Sequence, residues 1–283
     1  MDIALEAGWP RDRLDADYTA RLTCTDAEFA RITADYARLS QAAHDLPGKR
    51  LDIAYDTDSA ETYDLFGADP GAARPCFVFI HGGYWRALGK GHSAFMAPML
   101  AARGIACAVP DYTLAPSVSL TEIVRQCRAM LAHLWHNADA LGIDRGRIVV
   151  GGSSAGGHLT SAVASAGWQA AAGLPDQPLK GQLPVSGLFD LAPLAASHVN
   201  DWMRFTPDEV QALSPLRNLP AGPLPAVVAL AEREAPGFHR QSAAYGAVVG
   251  APVLTIPDRN HFDVVLDLTS PDTALSQALL GLV

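Results

Sequence analysis

A serine lies between two glycines at residues 152–156, in the order Gly-Ser-Ser-Ala-Gly. A β-branched run at 148–150 precedes this turn, and a helix-forming run at 159–166 follows it. In a sharp strand-to-helix turn, glycines two residues before and after a serine let the strand and the helix approach closely. The turn presents the Ser154 hydroxyl above the sheet, and the N–H of Ala155 begins a helix where it can stabilise an oxyanion. The pattern predicts that Ser154 is a nucleophile.

A second glycine motif directly follows an apolar run at 76–80. It reads His81, Gly82, Gly83, Tyr84, Trp85. Two consecutive glycines leave backbone N–H groups uncovered by side chains, so that they can point at a developing negative charge. A plain glycine turn with a buried histidine would have the same sequence. The position of the motif ahead of the serine turn favours an oxyanion loop. We therefore predict an oxyanion hole formed by Gly82, Gly83 and Ala155.

A serine nucleophile needs a base. In hydrolases with this type of turn, the acid and then the histidine follow the serine along the chain. Only His239 and His261 lie after the apolar run at 226–231. His261 follows the last strand-like run, in a loop from which it can reach back to Ser154, whereas His239 falls within a helical segment. We predict that His261 takes the Ser154 proton.

An acid must fix the tautomer of this histidine and stabilise the imidazolium. It must follow the run at 226–231, which leaves Glu232 and Glu234. Glu232 is the first polar residue after the run and can point along the strand, whereas Glu234 lies just before an Ala-Pro-Gly turn. The residues alone leave both glutamates open.

Alternating apolar and helical segments must position these residues. Strand-like runs occur at 50–55, 62–66, 76–80, 104–110, 147–150, 181–187, 226–231 and 252–256, and helical segments at about 91–102, 120–140 and 159–166, from about 238 and from about 273. The first two strands alternate in polarity and predict an antiparallel hairpin at a sheet edge. Strands that alternate with helices predict an α/β fold with a mostly parallel, doubly wound sheet and helices on both faces.

No linker or repeat divides the chain, so we predict a single domain over 1–283. Residues 1–45 have helical spacing and form an N-terminal helical arm. The arm either packs on the main domain or acts as a lid that contributes to the pocket, and we favour simple packing.

The composition describes a chain with a sizeable core and an acidic surface. The sequence has 283 residues, 49% hydrophobic residues and a net charge of −9. This charge argues against nucleic acid and anionic membranes as partners, because both need a basic patch. The N-terminus has no signal-peptide pattern, no apolar run reaches membrane-spanning length, and the four cysteines show no metal spacing. We predict a cytoplasmic protein that takes a small-molecule substrate without metal or other cofactor, and a homodimer is left open.

Together these motifs resemble the kynurenine formamidase (arylformamidase) branch of the α/β-hydrolase fold, close to the hormone-sensitive-lipase-like esterases. The resemblance rests on Tyr18, Arg21 and the segments 81–85, 111–116, 152–158, 186–191, 214–215, 238–242 and 261–263. It implies hydrolysis of N-formylkynurenine to kynurenine and formate without a metal, and relatives cleave small aryl esters. Counted back from 238–242, Glu234 occupies the position of the family's acid, so we assign it to His261.

Two departures from the family pattern lie next to this acid. Glu234 stands where aspartate is frequent, and the usual glycines of the loop are replaced by Ala231 and Glu232. A longer acid can still reach a histidine, but the local loop must differ. The departures bear more on the substrate than on the triad.

The predicted substrate pocket contains Tyr84, Trp85, His158 and Trp202. The tryptophans could wall an aromatic substrate, although lone tryptophans more often pack in the core. The predicted function is a metal-independent serine hydrolase of a small aryl formamide, amide or ester, with N-formylkynurenine as the best single substrate. Two alternatives are a carboxylesterase of short acyl chains and a ligand-binding scaffold without turnover, and the intact Ser154, His261 and acidic pair argue against the scaffold.

Overall fold

The computed structural model describes residues 5–283. The first four residues, part of the terminus that shows no signal-peptide pattern, lie outside the described residues.

An eight-stranded sheet occupies the centre, in the order β1-β2-β4-β3-β5-β6-β7-β8. The strands are β1 (Arg50–Ala54), β2 (Thr62–Phe66), β3 (Arg74–Ile80), β4 (Ala106–Pro110), β5 (Ile143–Ser153), β6 (Gly181–Val185), β7 (Val228–Arg233) and β8 (Val253–Asn260). The pairs β1–β2 and β2–β4 are antiparallel, and the other pairs are parallel. The predicted edge hairpin and the mostly parallel sheet are both confirmed.

Helices cover both faces of this sheet. They are α1 (Arg11–Asp17), α2 (Asp26–Gln41), α3 (Ala97–Ala101), α4 (Leu120–His136), α5 (Ala138–Leu141), α6 (Ala155–Ala164), α7 (Ala192–Ala195), α8 (Asn200–Met203), α9 (Pro207–Leu213), α10 (Pro236–Val249) and α11 (Ala274–Leu282). Alternate residues of β3 face opposite cores: Val78 packs in the cluster of α4 and α6, whereas Phe77 packs in the cluster of α2, α3 and α11. This division explains why β3 and β4 read as continuous apolar runs.

Two predicted helices differ from those observed. The segment expected at 91–102 is a 3₁₀ turn (Lys90–His92) followed by α3, because Pro98 lacks an N–H and is tolerated only in the first turn of a helix. The helix expected at 120–140 is divided at Asn137, whose side chain donates to the carbonyl of His133 at 2.8 Å. Such a side-chain bond competes with the helical backbone.

The arm, here residues 5–45, consists of α1, a 3₁₀ turn (Ala20–Thr23), α2 and a second 3₁₀ turn (Ala42–Asp45). A capping box of Thr25 and Glu28 begins α2. Arg240 of α10 forms ion pairs with Glu6 and Asp17. These pairs attach the arm to a helix from the C-terminal part of the chain. Within residues 5–283, no helix is long and apolar enough to cross a membrane.

Candidate active site

The serine turn joins β5 to α6. Ser154 has φ 58° and ψ −118°, a strained conformation for a residue with a side chain. A Cβ on Gly152 would lie 2.5 Å from the carbonyl oxygen of Ile80, and one on Gly156 would lie 2.0 Å from the same atom. Both positions therefore require glycine, because strand, turn and helix meet there at backbone distance. The observed geometry is the strand–turn–helix context that the sequence motif predicts.

His261 lies directly after β8 and contacts Glu234, which lies directly after β7. Nδ1 of His261 is 2.7 Å from Oε2 of Glu234, and the exposed fractions of the two side chains are 3% and 0%. Since an ionised carboxylate can only accept, Nδ1–H donates and Nε2 is left as the acceptor. The ring of Phe238 packs against the imidazole with centroids 4.4 Å apart. The structure thus holds His261 in the tautomer that a general base needs.

Glu232 takes a different direction. Strand β7 extends to Arg233, so Glu232 belongs to the strand rather than to the following loop. Its side chain is exposed, and its Oε2 accepts a hydrogen bond of 2.9 Å from the N–H of Asp258. Of the two glutamates that the sequence leaves open, Glu234 is the one on His261.

Ser186 is a site residue that the predicted set does not contain. Its hydroxyl donates to Oε1 of Glu234, the oxygen that His261 does not use. Ser186 also has a positive φ of 48° at the end of β6. The only signal in the sequence is its place in the segment 186–191, which carries part of the family resemblance.

Ser154 and His261 line the same cavity. In the described chain, Oγ of Ser154 makes no hydrogen bond to His261 or to another residue. In unliganded hydrolases this contact often closes only when substrate binds.

Gly82 lies against Ser154. A Cβ at this position would be 2.7 Å from the carbonyl oxygen of Ser153 and 3.3 Å from Cβ of Ser154. Gly83 has φ 93°, and its Cβ would lie 2.3 Å from the carbonyl oxygen of Ala87. The absence of side chains brings this backbone beside Ser154, where its N–H groups and that of Ala155 can act together.

Tyr112 packs against the glycine loop and stabilises it. Its ring stacks on His81 with centroids 4.1 Å apart, and its hydroxyl lies 3.1 Å from the carbonyl oxygen of His81 and 3.2 Å from that of Gly82. Burial lowers the pKa of His81 to about 4, so this ring is neutral near pH 7. The sequence motif indicates the glycines but not this support.

The cavity has a volume of about 410 Å³, which suits a small molecule. Its lining comprises Thr19, Ala20, Arg21, Phe29, Thr33, Tyr36, Phe79, His81, Gly82, Gly83, Tyr84, Arg86, Ala87, Leu88, His92, Ser93, Phe95, Ser153, Ser154, His198, Trp202, His261, Phe262 and Val265. Tyr84 and Trp202 of the predicted pocket are in this lining. The arm supplies the first six residues, so it forms a wall of the cavity as well as packing on the domain.

Trp85 and His158 do not line the cavity, which corrects two of the four predicted pocket residues. Trp85 is 0% exposed, and its ring meets His158 edge-on with centroids 5.2 Å apart. Nε2–H of His158 donates to the carbonyl of Leu213 at 2.9 Å, and burial lowers the pKa of His158 to about 4. Trp85 turns inward because it has φ 58° and Tyr84 before it has φ 49°, a backbone path that the motif does not reveal.

Among residues 5–283, no group of three or more histidine, cysteine or acidic side chains could hold a metal ion. The four cysteines are free thiols, and Cys76, Cys107 and Cys127 are buried.

Residues 77–245 match the sequence profile of the alpha/beta hydrolase fold. The kynurenine formamidase of Salmo salar is 26% identical over 280 residues, which are 95% of this chain and 93% of that protein. The kynurenine formamidase of Danio rerio is 25% identical, with 96% of each chain covered. A Silicibacter sp. TM1040 structure with a provisional thioesterase assignment is 28% identical, has a TM-score of 0.80, and is matched over 94% of this chain and 98% of its own. The chain therefore belongs to the α/β-hydrolase family and is similar to its kynurenine formamidases over nearly its whole length.

Proposed function

We propose that this hydrolase uses Ser154 as its nucleophile, His261 as its base and Glu234 as the acid that holds His261. The observation that carries the proposal is the buried 2.7 Å contact between His261 and Glu234, in the same cavity as the strained Ser154. Gly82, Gly83 and Ala155 would supply the oxyanion hole. No step needs a metal.

The first half of the reaction transfers the acyl group to the enzyme. Nε2 of His261 removes the proton of Ser154 as Oγ attacks the substrate carbonyl, and the negative charge moves to the carbonyl oxygen in the oxyanion hole. When the tetrahedral intermediate collapses, the bond to the leaving amine or alcohol breaks, and His261 gives that group the proton. The product of this half is an ester on Ser154.

The second half repeats the chemistry with water. His261 takes a proton from water as its oxygen attacks the acyl-Ser154 ester, and the proton passes to Oγ of Ser154 when the carboxylic acid leaves. Glu234 stabilises the imidazolium in both halves. With an aryl formamide the products are an aryl amine and formate.

The substrate that we propose is N-formylkynurenine or a closely related aryl formamide. Aromatic rings of Phe29, Tyr84, Trp202 and Phe262 line the cavity and suit an aryl group. The full-length similarity to two kynurenine formamidases supports the same substrate. A carboxylesterase of short acyl chains is the second candidate, since esters react through the same steps and an esterase of Pyrobaculum calidifontis shares the fold with a TM-score of 0.72.

The test compares initial rates on N-formylkynurenine and p-nitrophenyl acetate at equal protein concentration. The proposal expects a higher kcat/KM for the formamide, whereas a preference for the acetate would make the protein a carboxylesterase. A fluorophosphonate probe should label Ser154, and absence of both labelling and turnover would favour a binding scaffold. Activity should survive exhaustive EDTA treatment, and a loss that zinc restores would contradict a metal-free mechanism.

A further inference from the structure

The lining of the catalytic cavity has an unusual charge balance. The lining contains two arginines, Arg21 and Arg86, and four histidines, His81, His92, His198 and His261. No aspartate or glutamate is among the described residues that line it. The whole chain, in contrast, has a net charge of −9. A cavity with cations and no carboxylate in an acidic protein favours an anionic ligand.

Three of these groups already have acidic neighbours, among them His261, which contacts Glu234. Arg21 pairs with Asp26, and Nδ1 of His198 lies 3.4 Å from Asp15. Arg86 differs, because no carboxylate of residues 5–283 lies within ion-pair distance of it. Its guanidinium instead lies over the ring of Trp202, 3.7 Å from the centroid. Contact with an aromatic face orients a cation without cancelling its charge.

The loop that carries Arg86 is held in an unfavourable backbone conformation. Tyr84, Trp85 and Leu88 have φ values of 49°, 58° and 71°. The loop is fixed by a hydrogen bond of 3.0 Å from the N–H of Arg86 to the carbonyl of Gly83. Such strain persists where the surroundings impose it, and it occurs often at functional sites. Arg86 lies three residues after Gly83, the second of the proposed oxyanion glycines.

Trp202 completes the arrangement. Its Nε1–H donates to the carbonyl of Tyr84 at 3.3 Å, so the ring under Arg86 is itself tied to the same loop. The edge of the planar guanidinium offers paired N–H donors that match the two oxygens of a carboxylate. One face of the same group remains on the indole.

We propose that Arg86 is a specificity-determining residue that binds a carboxylate on the leaving-group side of the substrate. The proposal rests on the proposed function and narrows it to aryl formamides or aryl esters whose aryl portion carries a carboxylate. The acyl carbon lies at Ser154 while the anionic end of the leaving group lies on the guanidinium at the rim. Neutral aryl substrates then lack one of the two contacts.

The experiment measures kcat and KM for two substrate pairs that differ only in charge. The pairs are N-formylkynurenine with its carboxamide and 3-acetoxybenzoate with 3-acetoxybenzamide. The variant is Arg86→Gln, which keeps a polar planar group and removes the charge. The control is Arg204→Gln, since Arg204 is also an exposed cation but lines a neighbouring groove and not the catalytic cavity.

We expect wild type to prefer each acid over its amide by about tenfold in kcat/KM, mainly through KM. Arg86→Gln should remove this preference and leave the amides within about twofold of wild type, and Arg204→Gln should retain it. An unchanged acid-to-amide ratio in Arg86→Gln, or an equal loss on acid and amide, would overturn the proposal.

The acetate pair separates this proposal from the proposed function. Cleavage of the acetates with a charge preference that depends on Arg86, without cleavage of the formamides, would refute the formamidase and keep the anion site. Calorimetry with kynurenine and its carboxamide makes the same comparison without turnover. There we expect Arg86→Gln to weaken kynurenine binding about tenfold and to leave the carboxamide unchanged, whereas equal Kd values for kynurenine in variant and wild type would refute the site.

Discussion

Replacing Glu234 by glutamine tests the catalytic geometry most directly. The change preserves the shape of the side chain but removes a charge that lies, fully buried, 2.7 Å from Nδ1 of His261. Glutamine can also present its NH₂ group to Nδ1, because its oxygen can take the hydrogen bond of Ser186 instead. His261 would then carry its proton on Nε2 and could not accept the Ser154 proton.

The size of the effect follows from the charge pair. The centres of a carboxylate and an imidazolium in this contact lie about 4 Å apart, and at an effective dielectric constant of about 20 they attract by about 4 kcal/mol. Since each 1.36 kcal/mol changes a rate about tenfold, Glu234→Gln should lower kcat by about 10³. A loss of about 10⁴ for the corresponding acid-to-amide change in a serine protease has the same order.

The assay is steady-state hydrolysis of the preferred substrate, with Tm measured to show that each variant is folded. Glu232→Gln is the matched control, because Glu232 is exposed and bonds only to the N–H of Asp258 in the described chain. It should stay within several-fold of wild type. If Glu232→Gln were the slower of two equally folded variants, or if Glu234→Gln lost less than tenfold, the assignment of Glu234 would be wrong.

Three further predictions concern the nucleophile, acid stability and the glycine loop. Ser154→Ala should keep its Tm and lose at least about 10³ in kcat, while Ser153→Ala should lose little; more than a few per cent residual activity in Ser154→Ala would exclude it as nucleophile. Burial lowers the pKa of His158 from 6.5 to about 4. As pH drops from about 6.5 towards 4, the unfolded chain therefore protonates this histidine while the folded chain does not, and the free energy of unfolding should fall. Urea titrations should show that His158→Gln reduces this slope, and an unchanged slope would contradict the account. Gly82→Ala would place a Cβ 2.7 Å from the carbonyl oxygen of Ser153 and should lower kcat about 10²-fold. Gly91→Ala is the control, because no neighbouring atom lies within 4 Å of its Cβ, and it should have little effect on kcat. Equal losses of kcat in the two variants would refute the steric argument.

The sheet and the serine turn could be predicted from sequence because their signals are local. Strands buried on both faces must be apolar throughout, and a turn in which strand and helix meet at backbone distance must contain glycine. Because parallel strands end at the same edge of a sheet, the predicted parallel sheet also places His261 after β8 on the same side as Ser154 after β5. The family assignment follows from the same motifs and is confirmed.

The finer parts of the site depend on side-chain direction, which spacing does not determine. Glu232 and Glu234 are two residues apart, and only the extension of β7 to Arg233 shows which one meets His261. Trp85 is an aromatic residue next to the glycine motif, and such a residue suits a substrate pocket. Positive φ values in its loop turn its ring into the core instead. The contribution of the arm to the cavity depends on contacts between distant parts of the chain, and helical periodicity carries no information about them.

The arm gives the cavity a wall that lies outside the central sheet. Its described ties to the rest of the molecule include the hydrogen bonds of Tyr84 to Tyr18 and of Tyr36 to Phe262, and the ion pairs of Arg240. The described arm contributes no strand to the sheet, and segments outside a central sheet open at lower free energy than the sheet itself. On heating, the cavity should therefore lose its shape before the sheet melts, and inactivation should precede the circular dichroism transition. Thermostability in this enzyme would then be limited by the seam between arm and domain, so a crosslink across that seam would extend its working temperature more than any improvement of the core.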